Sequence, residues 1–574
     1  MSMKGTSLFV KALNEEGVDT IFGYPGGFVT DIFDELYQQD KINLILPRHE
    51  QGLIHAADGY ARSTGKVGVC LVTSGPGATN LVTGIATANY DSVPLVCFTG
   101  QVPTHLIGND AFQEIDIVGV VRNICKYAVT VRKRSDLGRI IKEAFYIART
   151  GKPGPVVIDL PKDIMLELGD DTYPETINMR SYKPNTSVHH GQLKKVVSML
   201  EKSKRPLFLI GGGVTIARAG KELTALVEKT QIPVVSTIMG KGNLPTHHPL
   251  FIGNMGMHGS YASNMAANNC DVLFSIGTRF NDRITGKINE FAKHAKIIHI
   301  DIDPAAISRN ISVDIPIVAD AKESITELEK IAGTYDTKEW LSQIKEWKEE
   351  HPIDRKDTSE LSPAKIIEEI NKRYPDSIVV TDVGQHQMWT TQFLEMNGTR
   401  QLLTSGGLGT MGYGLPAAIG AKIGNPDRTV LCVSGDGGFQ MNIQELATAT
   451  CQELPLIICV LNNGNLGMVR QFQHIFYDKH YYRTCLRYRK SCDGKCGDSQ
   501  HNCPPYSPDF VKLAESYGGV GIRVTKNEEI ASAFEEASKN TNSPTIIEFI
   551  INPDELVMPM VPNGNSLGDM ILGC

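Results

Sequence analysis

Two short turns carry the most specific chemistry in the chain. Asp436, in Gly435-Asp436-Gly437-Gly438, offers a carboxylate, and Asn463, in Asn462-Asn463-Gly464-Asn465, offers an amide oxygen; 24 residues separate Gly-Asp-Gly from Asn-Asn. Hard oxygen donors of this kind suit Mg²⁺, which takes few protein ligands and completes its octahedron with phosphate oxygens and water. Gly437 and Gly438 let backbone N–H groups approach a phosphate, and the N-terminus of a following helix favours the anion. Together the turns read as a metal–diphosphate clamp. A lone Gly-Asp-Gly is common loop chemistry, so the weight rests on where the turns sit.

Each turn closes a buried-strand signal, TVLCVS before Asp436 and PLIICVL before Asn463. Both are short apolar runs rich in β-branched residues, with a helix-length segment between them. This predicts a βαβ unit with both turns at the carboxyl edge of a parallel sheet, where open α/β sheets bind ligands. Clamp and setting together resemble the thiamine diphosphate (ThDP) motif.

Similar strand signals recur along the chain: VGVCLVTS, PLVCFTG and PVVIDLP; then PLFLIGGG, PVVSTI, VLFSIGT and IIHIDID; then SIVVTDVG and TIIEFII. The expectation is an α/β chain of three doubly wound parallel-sheet domains at 1–170, 190–335 and 362–574, with linkers at 171–189 and 336–361. With 574 residues, 41% hydrophobic and 21% charged, the composition is that of an ordinary globular protein. A formal charge of −7 argues against nucleic acid or an anionic membrane as partner. There is neither an apolar run of membrane-spanning length nor a secretory signal, which points to the cytoplasm. Four of the twelve cysteines, Cys70, Cys97, Cys432 and Cys459, lie inside apolar strand signals and read as small reduced hydrophobes.

The first domain offers Pro25-Gly26-Gly27, a turn for close backbone approach, and Glu50, at the start of an Ala-rich helix. By position alone Glu50 is a helix-start charge stabilised by the dipole. Paired with the clamp it takes a catalytic meaning. A carboxyl group bonded to N1′ of the ThDP aminopyrimidine promotes the imino tautomer that removes the C2 proton of the thiazolium.

Longer segments extend the likeness: RHEQGLIHAADGYARSTGKVGVCLVTSGPGATN at 48–80, GNDAFQEIDIVG at 108–119, GTRFNDR at 277–283, HIDIDPAAI at 299–307, DVGQHQMW at 382–389, GGLGTMGYGLPAAIGA at 406–421 and MVPNGNSLGDMI at 560–571. Over nearly its whole length the chain resembles the catalytic, large subunits of acetolactate synthase, also called acetohydroxyacid synthase. The resemblance implies that ThDP-bound pyruvate loses CO₂ and that the two-carbon unit joins a second small-molecule 2-oxoacid, the first common step of branched-chain amino-acid synthesis. It implies Mg²⁺ on Asp436, Asn463 and the main chain of Asn465. Gln385 and His386 would touch the diphosphate, with Pro25, Gly26, Gly409, Gly437 and Gly438 also around the cofactor. Met411 would be the wedge that bends ThDP. Phe112, Gln113 and Lys126 would lie on the substrate side. Arg279, Asp301 and Asp320 would hold FAD in a structural rather than redox role, RFNDR resembling the RFDDR of the biosynthetic enzymes. From chemistry alone the Asp301–Asp303 pair serves equally to accept from ribose hydroxyls or to cap the next helix. The family also implies a homodimer or homotetramer, with Glu50 facing the clamp of another chain, and often a small regulatory subunit. A pyruvate oxidase or simple decarboxylase is the alternative enzyme; a silent ThDP binder would have no need of Glu50.

Two features depart from the family. Phe472 stands where biosynthetic members commonly carry Trp, which leaves the acceptor ratio open. The segment Tyr482–Tyr506 is longer than usual and holds Cys485, Cys492, Cys496 and Cys503 with spacing C-x6-C-x3-C-x6-C. Four thiolates have the chemistry to hold Zn²⁺ or an iron–sulfur cluster, with His501 as a spare ligand, or to pair as disulfides; the plain alternative is an inserted loop of reduced thiols.

Overall fold

Apolar runs that do not alternate, such as Leu95–Gln101, Pro155–Pro161 and Ile457–Asn462, are buried along their whole length. Strands covered on both faces have this pattern, and they build parallel sheets. The computed structural model describes residues 2–353, 361–492 and 503–573. It contains three six-stranded sheets, all parallel, each flanked by helices. In the first and third domains the strand order, numbered within the domain, is 2-1-3-4-6-5; in the middle domain it is 3-2-1-4-5-6. In each, the order reverses beside the domain's first strand, and the loops leaving the strands there carry the residues considered below. An antiparallel pair, Ser2–Lys4 with Leu168–Asp170, ties the ends of the first domain together.

The first and third domains are joined by small residues. The helix Glu50–Thr64 lies against the helix Gly414–Gly424 so closely that a Cβ on Gly59 would stand 2.0 Å from the Ala417 carbonyl oxygen, and one on Gly420 would stand 1.8 Å from that of Ala56. Beside this contact the buried Arg62 guanidinium bridges Asp58 (2.5 Å) and Asp91 (2.9 Å) and donates to the Thr404 carbonyl (2.9 Å). Tyr413 donates to Asp58 at 2.7 Å. A buried charge of this kind is tolerable only when several partners share it.

Two segments behave differently from the sequence expectation. Much of 336–361 is the helix Lys338–Glu350, docked on the middle domain through buried Trp340 and Ile344; the indole donates to the Pro206 carbonyl at 3.1 Å. The charged residues around those two positions hid the apolar stripe. The C-terminal tail returns from the third domain to the middle one, where Val561 and Leu567 join its core and Lys287 N–H donates to the Asn565 carbonyl at 2.9 Å.

Candidate functional site

The third-domain edge is prepared for a cation and an anion. Asp436 begins the turn after Val430–Gly435, is buried, and among the described residues has an Oδ2 with no hydrogen-bond partner. Burial pushes its carboxyl up to about 7, opposed by the Tyr506 hydroxyl, neighbouring main chain and the Arg487 charge. An unpaired buried carboxylate oxygen is expensive unless a proton or a cation meets it, and an oxygen-seeking divalent ion fits. Across from it, after Ile457–Asn462, Asn463 Oδ1 accepts from Asn465 N–H at 3.0 Å. Asn463 Nδ2 donates to Gln385 Oε1 at 3.2 Å, and Gln385 Nε2 donates to Gln471 Oε1 and the Glu555 carbonyl, both at 2.9 Å. Gln385 thereby fixes the asparagine. His386 is buried with an unpartnered Nε2, and burial pushes its imidazole down to about 3, so it is neutral. A Cβ on Gly435 would lie 2.8 Å from His386 Nδ1, so glycine is required there for packing.

The loop Ser405–Tyr413 closes over this edge. Gly409 has a φ of +71° with only Val383 near its missing Cβ, at 3.9 Å. Gly412 and Gly414 N–H groups donate to the buried Asp382 carboxylate at 3.0 and 2.9 Å. A Cβ on Gly438 would meet the same carboxylate at 2.4 Å. Met411 leans over Gly437, its Cε 3.6 Å from the Cβ position there.

The first-domain edge gathers a second group around the turn Ser74–Asn80. Glu50 opens its helix, and its Oε2 accepts from Asn80 Nδ2 at 2.9 Å. Gly77 faces Glu50 Oε1, 3.5 Å from its Cβ position, and Gly75 faces Gln113, which holds a φ of +60°. Gly26, beside exposed Pro25, packs so tightly on Thr73 that a Cβ would be 2.5 Å from that residue's own Cβ. The Thr73 and Ser74 hydroxyls are buried without partners. Phe112 is 81% exposed, an unusual setting for a phenyl ring within one chain. Among the described residues no hydrogen bond joins Glu50 to Asp436, Asn463, Gln385 or His386.

The middle domain opens a cleft of about 940 Å³ that also touches the other two domains. Gly211–Gly213, Arg279, Asp301 and Asp320 all line it. Asp301 lies at a strand end, its carboxyl pushed up to about 6 by burial, and accepts from Asp303 N–H at 2.9 Å. Asp320 and Asp303 act as helix caps, accepting from Glu323 N–H and Ala305 N–H, each at 3.0 Å. Thr278 and Asn281 carry buried oxygens without partners, so the cleft has polar capacity left for a ligand.

Lys126 stands just before the strand Tyr127–Thr130 of the first domain. Its ammonium donates to the Ile147 and Thr150 carbonyls and to Tyr182 OH, at 2.5, 2.9 and 2.9 Å, all within or beside the first domain. Burial pushes it down to about 8. Phe472 is half-buried on the helix Gly467–Phe476, its ring 6.4 Å from that of Phe476. Cys70, Cys97, Cys432 and Cys459 are buried free thiols, and Cys485, Cys492 and Cys503 are free as well. Cys496 and His501 lie outside the described residues. Among the described residues no three His, Cys, Asp or Glu side chains converge on a metal position, and no helix is long and apolar enough to cross a membrane.

Sequence reasoning did not bring Asn80, Asp382, Tyr506 or Arg487 to the site, Arg487 reading instead as part of a basic run, Arg483, Arg487, Arg489 and Lys490, beside the cysteines. Asp382 alone left a local signal, an acid ending the apolar run SIVVT just before Gly384. The other three reach the site only through the fold.

Comparison with known proteins defines the class first. Models of the N-terminal TPP binding domain, the central domain and the C-terminal TPP binding domain of thiamine pyrophosphate enzymes match residues 3–120, 193–328 and 382–549, in that order. The chain thus has the three domains of a thiamine pyrophosphate enzyme. It is 46% identical over 592 residues to the probable acetolactate synthase large subunit of Methanococcus aeolicus, covering 99% of this chain and 95% of that one. It is 45% identical over 576 residues to the acetolactate synthase large subunit of Corynebacterium glutamicum, covering 99% and 90%. The chain belongs to the acetolactate synthase large-subunit family.

Proposed function

We infer that this protein is a ThDP-dependent acetolactate synthase catalytic subunit. It decarboxylates pyruvate and ligates the two-carbon unit to pyruvate or 2-ketobutanoate. The observation that carries the reading is the pairing of two different carboxylates at equivalent sheet edges: Glu50, half-buried and hydrogen-bonded by Asn80, and Asp436, buried with an unpartnered oxygen. ThDP, when bound, supplies a carbon nucleophile that adds to the pyruvate carbonyl and accepts the electrons released with CO₂. The chain's residues do the rest. Glu50 holds or moves a proton at the aminopyrimidine N1′, with Asn80 fixing its carboxylate. Asp436, Asn463 and the Asn465 main chain hold Mg²⁺, and Gln385 locks Asn463. His386 and the Gly437–Gly438 backbone meet the diphosphate. Gly409 leaves room beside the cofactor, Pro25-Gly26 walls the pyrimidine side, and Met411 presses against the ring system from over Gly437. Phe112, Gln113 and Phe472 face the substrates.

FAD, as a structural group, is the ligand that best suits the cleft lined by Arg279, Asp301 and Asp320; the guanidinium pairs with phosphate, Asp301 accepts from a ribose hydroxyl, and the capping duty of Asp320 leaves its second oxygen free. The family further supports a cytoplasmic enzyme of valine, leucine and isoleucine synthesis, acting as a homodimer or homotetramer with a small regulatory subunit. The test is acetolactate formation from pyruvate by the purified protein with ThDP and Mg²⁺, with and without FAD. Acetolactate that requires FAD is expected. Acetate or acetaldehyde in its place would overturn the reading in favour of an oxidase or decarboxylase.

A further inference from the structure

Both described ends of the segment Tyr482–Tyr506 lie on the clamp. On the way in, Leu466 N–H donates to the Thr484 carbonyl and Leu486 N–H donates to the Gly464 carbonyl, each at 2.8 Å, and Cys485 pairs antiparallel with Asn465. Residues 484–486 are therefore laid along the Asn463–Leu466 turn, and Leu486 covers Gly437, 3.4 Å from its Cβ position. Arg487 comes next. Its Nε lies over Gly464, 2.4 Å from where a Cβ would be, and is buried with no hydrogen-bond partner among the described residues. On the way out, Tyr506 OH accepts from Gln440 Nε2 at 2.8 Å beside Asp436, and Arg489 ties the two ends together by donating to the Pro505 carbonyl at 3.4 Å.

A buried guanidinium N–H without an acceptor is costly, and its charge needs an anion. Such an anion belongs at this place. A diphosphate together with Asp436 outweighs the two charges of one divalent cation, so the filled clamp is net anionic, and its glycine turn leaves open the face on which Arg487 lies. A guanidinium meets phosphate oxygens with directed, charge-assisted bonds that an ammonium cannot reproduce. We propose that Arg487 is a diphosphate-binding residue of this site. The proposal rests on the ThDP reading above.

The test is calorimetric titration of ThDP, in excess Mg²⁺, into the full-length protein, its Arg487→Met and Arg487→Lys variants, with thiamine monophosphate as a second probe. Arg487→Met keeps the length and apolar contacts of the side chain. It is expected to weaken ThDP binding by about ten- to hundredfold, Arg487→Lys by less, and thiamine monophosphate binding by less again, with the cofactor-free melting temperature unchanged. Equal ThDP affinity in wild type and Arg487→Met would overturn this assignment alone. So would equal losses for both probes accompanied by a lower melting temperature. Failure of the wild type to bind ThDP would overturn the ThDP reading and this assignment together.

Discussion

The first and third domains have the same strand order and offer their site residues at the same reversal of the sheet, yet the two edges are built oppositely. The third-domain edge is sealed: Asp436, Asp382 and His386 are all buried, and Asp436 keeps an oxygen free of protein partners. The first-domain edge is open: Glu50 is half-buried, held by one amide, and Phe112 beside Gln113 projects outward. The contrast follows from the two tasks. A carboxylate that holds a cation gains from low dielectric, because the attraction is screened less. A carboxyl that exchanges a proton with a ring nitrogen must stay reachable and pair weakly enough to let go. On the function proposed above, one topology used twice yields a fixed ion holder and a proton handler, and the side chains rather than the fold make the difference.

The largest effect should separate those tasks. Glu50→Gln is expected to lower acetolactate formation by about 10²- to 10⁴-fold while leaving ThDP affinity near that of the wild type. Asp436→Asn should instead lower Mg²⁺–ThDP affinity by more than the roughly 10- to 100-fold typical of outer-shell partners. Titrations that showed Glu50→Gln losing affinity as severely as Asp436→Asn would break the contrast. A smaller effect is expected at Lys126. Removing an ammonium with three partners should cost about 1–3 kcal/mol of stability, read by denaturant unfolding of Lys126→Met, with the acceptor ratio unchanged. A shifted ratio would return Lys126 to the substrate side, where the family resemblance puts it. The smallest effect is at the third-domain counterpart: Phe472→Trp should raise the preference for 2-ketobutanoate over pyruvate by about tenfold, toward the low end of what one methylene decides, measured by competition between both acceptors.

The placement of Asp436 and Asn463 at the ends of neighbouring parallel strands is legible in sequence because both sit in short turns that directly close apolar runs. Glu50 was ambiguous alone, since a glutamate in a first helical turn is ordinary, and became informative only beside the clamp. Asn80, Tyr506 and Arg487 were invisible because their roles depend on partners 30 residues or more away in sequence or on a turn they merely cover. Asp320 shows the opposite error of emphasis: its placement on the cleft was expected, but a carboxylate before a helix caps that helix as well. The segment 336–361 reads from sequence as a charged connection, helical in part, because Glu and Lys outnumber Trp340 and Ile344; Trp347 and Leu341 pack on the middle domain beside them.

The family resemblance implies that one active site is assembled from a first-domain edge and a third-domain edge of different chains; within one chain, among the described residues, Glu50 accepts from Asn80 of its own domain. The most direct test of that assembly is subunit complementation. Glu50→Gln and Asp436→Ala chains, each inactive, are co-expressed in equal amounts and all the oligomers purified together. Assembly across chains gives each mixed dimer one intact site, so acetolactate formation should return to roughly a quarter of the wild-type level for random pairing of two chains. If Glu50 served the clamp of its own chain, every site in the mixture would carry a defect, and no activity would return.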